Sequence, residues 1–155
     1  IVYEVLDWRI KKAQEFGATQ VLIPDKDPEK EAKRFKEILK SNGADKVIIA
    51  AKDVSAMKLG MQLVNKGGTV VFFATPHPNE YMGLFPSYMF FNEITLTSTY
   101  SADHLDTRMA LKLIANGDIS AEKLISHRFP IEQLSKAILQ TASRQESLKC
   151  IITFE

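Results

Sequence analysis

The chain has 155 residues, 45% hydrophobic and 25% charged, an ordinary globular composition that excludes a disordered, collagenous or fibrous protein. Twenty basic against nineteen acidic side chains leave a formal net charge of +1, too little field to drive nucleic-acid binding by counterion release. A lone Cys150 excludes an internal disulfide and any Cys-x-x-Cys metal cluster, and neither a secretory pattern nor a run of about eighteen apolar residues occurs. These features point to a reducing, cytoplasmic setting with no membrane partner. The chain opens on Ile1, already inside an apolar run, so the expectation is that a natural start precedes it.

In chain order, IVYEV (1–5), QVLI (20–23), KVIIA (46–50), TVVFFA (69–74) and ITLTSTY (94–100) read as strands, being rich in β-branched and aromatic residues. The first four are continuous rather than alternating, which predicts a parallel sheet covered on both faces. Between them lie three helices. The first has Asp7 at its N-cap, Ile10, Ala13 and Phe16 on its apolar face and Gly17 as its stop. The second starts at Asp27 with Pro28 in its first turn, buries Ala32, Phe35, Ile38 and Leu39, and ends near Asn42 and Gly43. The third starts at Asp53, carries Val54, Met57, Met61 and Val64 on one face, and stops at Gly67. This succession predicts a doubly wound α/β sheet. Beyond Tyr100 the rhythm changes: a helix near 105–116, an extended LISHRF, a helix over 131–143 and a last strand LKCIITF.

FGA (16–18), NGADKVIIA (42–50), KGGTVVFF (66–73), EITLTSTYS (93–101), LISHRFPIEQLSKA (124–137) and LKCIITF (148–154) together resemble, in order and spacing, the medium-chain, zinc-containing alcohol and polyol dehydrogenases, sorbitol, iditol and threonine dehydrogenases above all. The resemblance implies a partial Rossmann domain over 1–100 and a segment, 101–155, that returns to a GroES-like catalytic domain. It also implies the strand order 3-2-1-4-5-6 with a Gly-rich phosphate turn after the first strand. No G-x-G-x-x-G is present, so the chain is expected to begin at the second strand, leaving an empty slot about 10 Å wide where the middle strand belongs. Such a piece is expected to be unstable and inactive alone. Zinc ligands would lie upstream, and none is expected here: His77, His104 and His127 have no Cys or His-x-x-x-His partner, and His127 reads as structural.

The resemblance also implies a cofactor and its contacts. Glu4, ending the first visible strand, stands where such domains set a carboxylate against the adenosine ribose. Its charge would repel a 2′-phosphate by about 4 kcal/mol at about 4 Å and an effective dielectric of 20, so NAD is expected over NADP. Arg9 would cover the ribose edge or merely decorate its helix, and a solvated strand end is the plainer reading of Glu4. Ala50 and Ala51 follow the 46–50 strand, where cofactor approach and tight helix-to-sheet packing are both open; Lys52 stands where relatives have glycine. Phe73, Ala74 and Thr75, with Ser98, Thr99 and Tyr100, would offer backbone groups to the nicotinamide carboxamide, while their side chains are expected to pack in the core. Lys149 would touch the pyrophosphate or snorkel at a strand edge. The expected parent enzyme passes hydride between NAD and a secondary alcohol, a polyol or hydroxy amino acid, with zinc as Lewis acid. A zinc-free quinone reductase and a non-catalytic nucleotide sensor stay open. The 94–100 strand is expected to pair two copies into a homodimer or homotetramer, unless it folds on its own catalytic domain.

Overall fold

The computed structural model describes residues 1–143 and 145–154. It divides into two compact units: Pro24–Ser101, and Ile1–Ile23 together with the chain from Ala102 onward. The predicted strand and helix alternation is present, in parallel ladders throughout.

The second unit begins with β1 (Val2–Tyr3), α1 (Asp7–Glu15) and β2 (Val21–Leu22). β1 and β2 form a parallel ladder of two rungs, far shorter than IVYEV and QVLI suggest. Asp7 is the first helical residue of α1 and Leu6 is its N-cap, with no side-chain cap bond. Gly17 does end the helix, at φ +91°, a left-handed conformation that a Cβ would strain. α1 buries no residue, and Phe16 is exposed.

The unit Pro24–Ser101 contains α2 (Pro28–Leu39), β3 (Ala44–Ile49), α3 (Val54–Leu63), β4 (Val64–Phe72), α4 (Pro86–Phe91) and β5 (Thr95–Ser98). Asp27 caps α2 by accepting from the Glu29 and Lys30 amides, and Pro28 occupies the first turn, where its missing N–H costs nothing. The helix stops at Lys40, in the left-handed region at φ 51°, two residues before the expected Asn42. Ala32 and Phe35 are buried as expected; Leu39 is exposed, and the fully buried Glu31 is held by Arg34 at 3.1 Å and the Asp25 amide at 2.8 Å.

Asp53 caps α3 through the Ser55 and Ala56 amides. That helix ends at Leu63, because Val64 leaves helical geometry (φ −72°, ψ 139°) and pairs with Ala44 as the first residue of β4. The turn expected at Gly67 lies inside β4: the ladder jumps from Ala44/Val64 to Lys46/Thr69, and Gly67, at φ +70°, accommodates the irregularity. LFPSYMFF, read as a loop, contains α4, with Pro86 in its first turn. β3, β4 and β5 run parallel in that order, and Ile49, Met57, Met61, Val64, Val70 and Ile94 form the core, with Val70 at 0% exposure. Each such side chain contributes about 1.5–3 kcal/mol by leaving water. The expected covering of both faces is not what the unit has: Ile48 is 68% exposed, because α2 and α3 supply apolar partners to one face only.

From Ala102 the chain forms α5 (His104–Ala115), α6 (Ala121–Leu124), β6 (Ile125–Pro130), α7 (Leu134–Ser143) and β7 (Lys149–Thr153), the last two strands pairing in parallel. Asp103 and Asp106 form a reciprocal capping box at the start of α5. β1 pairs with β2, and β3 with β4; among the described residues no ladder joins β1 to residues 46–50. The pairings β2-β1 and β3-β4-β5 are the neighbour pairs that the order 3-2-1-4-5-6 requires on either side of its middle strand.

Candidate functional site

Parallel strands end together, so the register of β3, β4 and β5 fixes one rim. Ile49 pairs with Phe72 and Phe72 with Ser98, the last rung of the three-stranded ladder. The backbone leaves the sheet at Ala50–Ala51, Phe73–Thr75 and Thr99–Tyr100, so eight residues singled out from the sequence, Ser98 included, meet at one carboxyl edge. The Phe73 and Ala74 amides both donate to the Ile49 carbonyl, at 3.0 and 3.2 Å, and the Thr99 amide to the Phe72 carbonyl at 3.2 Å. These three N–H groups are therefore spent on the sheet. The Thr75 and Tyr100 amides have no backbone acceptor among the described residues.

The expected core packing of these side chains does not occur. Phe73 is 63% and Tyr100 97% exposed, and Thr75, Ser98 and Thr99 are exposed too; only Ala74 is half-buried. The reason is their place beyond the last rung, where no helix of the unit reaches over them. Ala50 and Ala51 are likewise exposed, so tight packing does not explain their size. Lys52 is exposed beside them, and Asp53 has its carboxyl held below its ordinary value of 3.8 by the Ser55 hydroxyl first and the Ser55 amide next.

In the other unit Glu4 follows β1. Its Oε1 accepts from the Val5 amide at 2.7 Å and the Leu6 amide at 3.1 Å, which fixes the carboxylate across the turn into α1. Oε2 faces Arg9 Nη1 at 4.0 Å, with both side chains partly open to solvent. Glu4 is thus more than a solvated strand end: two amides orient it, and one oxygen is left to accept. Arg9 Nε is buried without a hydrogen-bond partner among the described residues. Arg9 also lines a groove of roughly 880 Å³ with Trp8, Phe129, Lys136, Leu139 and Gln140. The sequence reading missed Trp8 and Lys136, which sit in helical segments with no motif to mark them. Lys149 opens β7 as an exposed edge residue opposite Ile125 and does not line that groove.

An oriented acceptor beside a cation, and an exposed rim with small residues, are groups that a dinucleotide's ribose and carboxamide can use, so the residues present fit NAD. Zinc is different. Among the described residues no three of His, Cys, Asp and Glu converge. His127 Nδ1 lies 3.0 Å from Ser126 Oγ and its ring stacks on Phe129, a structural setting. These residues do not fit a zinc ion. No helix of the described residues is long and apolar enough to cross a membrane.

Known proteins match this picture. Alcohol dehydrogenase 1 of Zea mays is 26% identical over 151 residues, 95% of this chain and 39% of that protein. Alcohol dehydrogenase 2 of Solanum tuberosum is 28% identical over 151 residues, again 95% of this chain and 39% of the relative. An alcohol dehydrogenase structure from Thermotoga maritima superposes with a TM-score of 0.86 at 25% identity, over 99% of this chain and 42% of that one. An alcohol dehydrogenase from Escherichia coli, solved in complex with NADH, shares the fold at a TM-score of 0.83 and 23% identity, over 99% and 44% of the two chains. The chain thus spans well under half the length of these relatives. Its residues 1–116 match the zinc-binding dehydrogenase family, and the chain belongs to that family.

Proposed function

We propose that the protein carrying this chain transfers a hydride between NAD and a secondary alcohol or its ketone, and that these residues are its cofactor-binding part. The observation that carries the reading is the rim: Ile49, Phe72 and Ser98 form one last rung, and every strand turns out to solvent immediately beyond it. Ligands of parallel α/β sheets bind at such carboxyl edges.

Bound NAD supplies the hydride acceptor. The Thr75 and Tyr100 amides and the neighbouring carbonyls hold the carboxamide, so that one ring face is presented to substrate; the exposed Ala50 and Ala51 let the cofactor lie close. Glu4 Oε2 accepts from the adenosine ribose, and Arg9 steadies that carboxylate. Lys149 offers its charge to a phosphate. NAD is preferred over NADP because a 2′-phosphate would meet an acceptor-only group already turned toward it by two amides. In the balanced reaction the alcohol gives its carbinol hydrogen as hydride to nicotinamide C4 and its hydroxyl proton to water, leaving the ketone and reduced cofactor.

The domains are read as a Rossmann part over 1–100 and a returning segment over 101–155, and the family's zinc is read as held by residues other than these. β5 pairs on one side with β4 only, so its other edge is open, which supports association of two copies through 94–100. The lone thiol Cys150 suits a reducing compartment such as the cytoplasm. The test is reduction of NAD by the full-length protein with secondary alcohols, followed by absorbance, with deuterium placed on the carbinol carbon. Deuterium recovered at nicotinamide C4 supports hydride transfer; NAD binding with no reduction of NAD by any alcohol favours the sensor.

A further inference from the structure

The side chains at the rim of β3, β4 and β5 divide into two kinds. Those able to recognise a hydroxyl-rich molecule are engaged in their own turns. Asp53 accepts from the Ser55 amide at 2.7 Å, the Ala56 amide at 3.4 Å and the Ser55 hydroxyl. Glu80, in the loop leaving β4, accepts from the His77 amide at 2.9 Å, and Thr75 Oγ1 donates to the Pro76 carbonyl at 3.2 Å. The side chains that stand free are aromatic: Phe73, one residue beyond the last rung on β4, is 63% exposed, and Tyr100, two residues beyond it on the neighbouring β5, is 97% exposed. Two large apolar surfaces left in water at adjoining strand ends gain most from an apolar ligand group, and rings prefer other rings in edge-to-face or offset contact.

We propose that the substrate of this site is an aromatic secondary alcohol, its ring held by Phe73 and Tyr100, rather than the polyol or hydroxy amino acid that the sequence resemblance implies. This rests on the hydride-transfer reading above, and the reaction is the same two-electron exchange: the C–H bond at the carbinol carbon breaks, NAD takes the hydride, water takes the hydroxyl proton, and an aryl ketone forms. A polyol would bring hydroxyls to a rim whose carboxylates are committed to backbone amides, and each unmatched hydroxyl would lose its water without replacement. An aryl group meets no such loss.

The experiment compares kcat/KM for 1-phenylethanol and for sorbitol, with NAD, in the full-length protein and in Phe73→Ala, Tyr100→Ala and Tyr100→Phe, with NAD titrated into each variant. The expected result is a preference for 1-phenylethanol of at least tenfold, on the order of what a single hydrophobic pocket supplies. That preference should fall about tenfold in Phe73→Ala and in Tyr100→Ala, through KM. Tyr100→Phe, which keeps the ring, should retain it. Sorbitol turned over better than 1-phenylethanol, or a preference unchanged in both alanine variants, overturns the assignment while leaving hydride transfer standing. NAD binding with turnover of neither alcohol overturns both.

Discussion

The unit Pro24–Ser101 and the rest of the chain are written in the same alternation of strand and helix, yet they bury apolar surface very differently. In the first, three paired strands present one face to α3, and Val70, Met57 and Val64 disappear from solvent. In the second, β1–β2 has two rungs, α1 and α5 bury nothing, and Ala137 is the one buried residue of α7. The difference teaches that amphipathic patterning supplies a face, and a ladder of several strands supplies something to cover it. Leu105 and Met109 of α5 have the face and lack the partner, at 59% and 57% exposure.

That contrast can be broken most forcefully at glycines. A Cβ at Gly43 would stand 2.7 Å from the Leu63 carbonyl oxygen and 2.8 Å from the Asn65 nitrogen, backbone atoms that cannot step aside. Gly43→Ala is expected to cost about 3 kcal/mol in urea unfolding of the full-length protein. At Gly117, behind α5, a Cβ meets nothing within 4 Å, so Gly117→Ala should cost about 1 kcal/mol, from the positive φ alone. Equal costs would erase the distinction between the units.

A smaller effect sits at the cap of α3. Asp53→Ala should lose about 1 kcal/mol at neutral pH. Because the native carboxyl titrates below the unfolded one, this contribution is present in full above the unfolded value of about 4 and is lost as pH falls through the lowered native value. The gap between wild type and variant should therefore close in acid; a gap that widens there contradicts the cap. Smaller still is Leu105→Gln, expected within about 0.5 kcal/mol. A loss of about 2 kcal/mol would show that the apolar face of α5 is covered in the full-length protein, and would bring the two units level.

Much of this was legible from residues. Asp27 and Asp53 are the caps that their positions ahead of apolar-periodic segments predict, and all five strands foreseen ahead of residue 101 exist. Strand lengths and the start of β4 were not legible, because VNKGG reads as a helix stop while the pairing of Val64 with Ala44 comes from across the ladder. Nor was one-sided burial: a run such as VIIA fits a doubly covered strand, and only the placement of α2 and α3 shows which face is met. At the rim, strand ends placed Ala50, Phe73 and Ser98 correctly by register, but the exposure of Phe73 and Tyr100 depends on a helix not reaching them, which no local pattern encodes. Arg9 was flagged by spacing to Glu4; the unpartnered Nε emerged from the fold.

The most direct test concerns the carboxylate that follows β1. Calorimetric titration of NAD and NADP into the full-length protein and its Glu4→Ala variant should show NAD bound more tightly by wild type, with the variant losing about tenfold or more for NAD, the strength of a hydrogen bond to a charged acceptor, while NADP is unchanged or improved. An equal loss for both dinucleotides would mean that Glu4 only shapes the turn into α1 and does not meet the ribose.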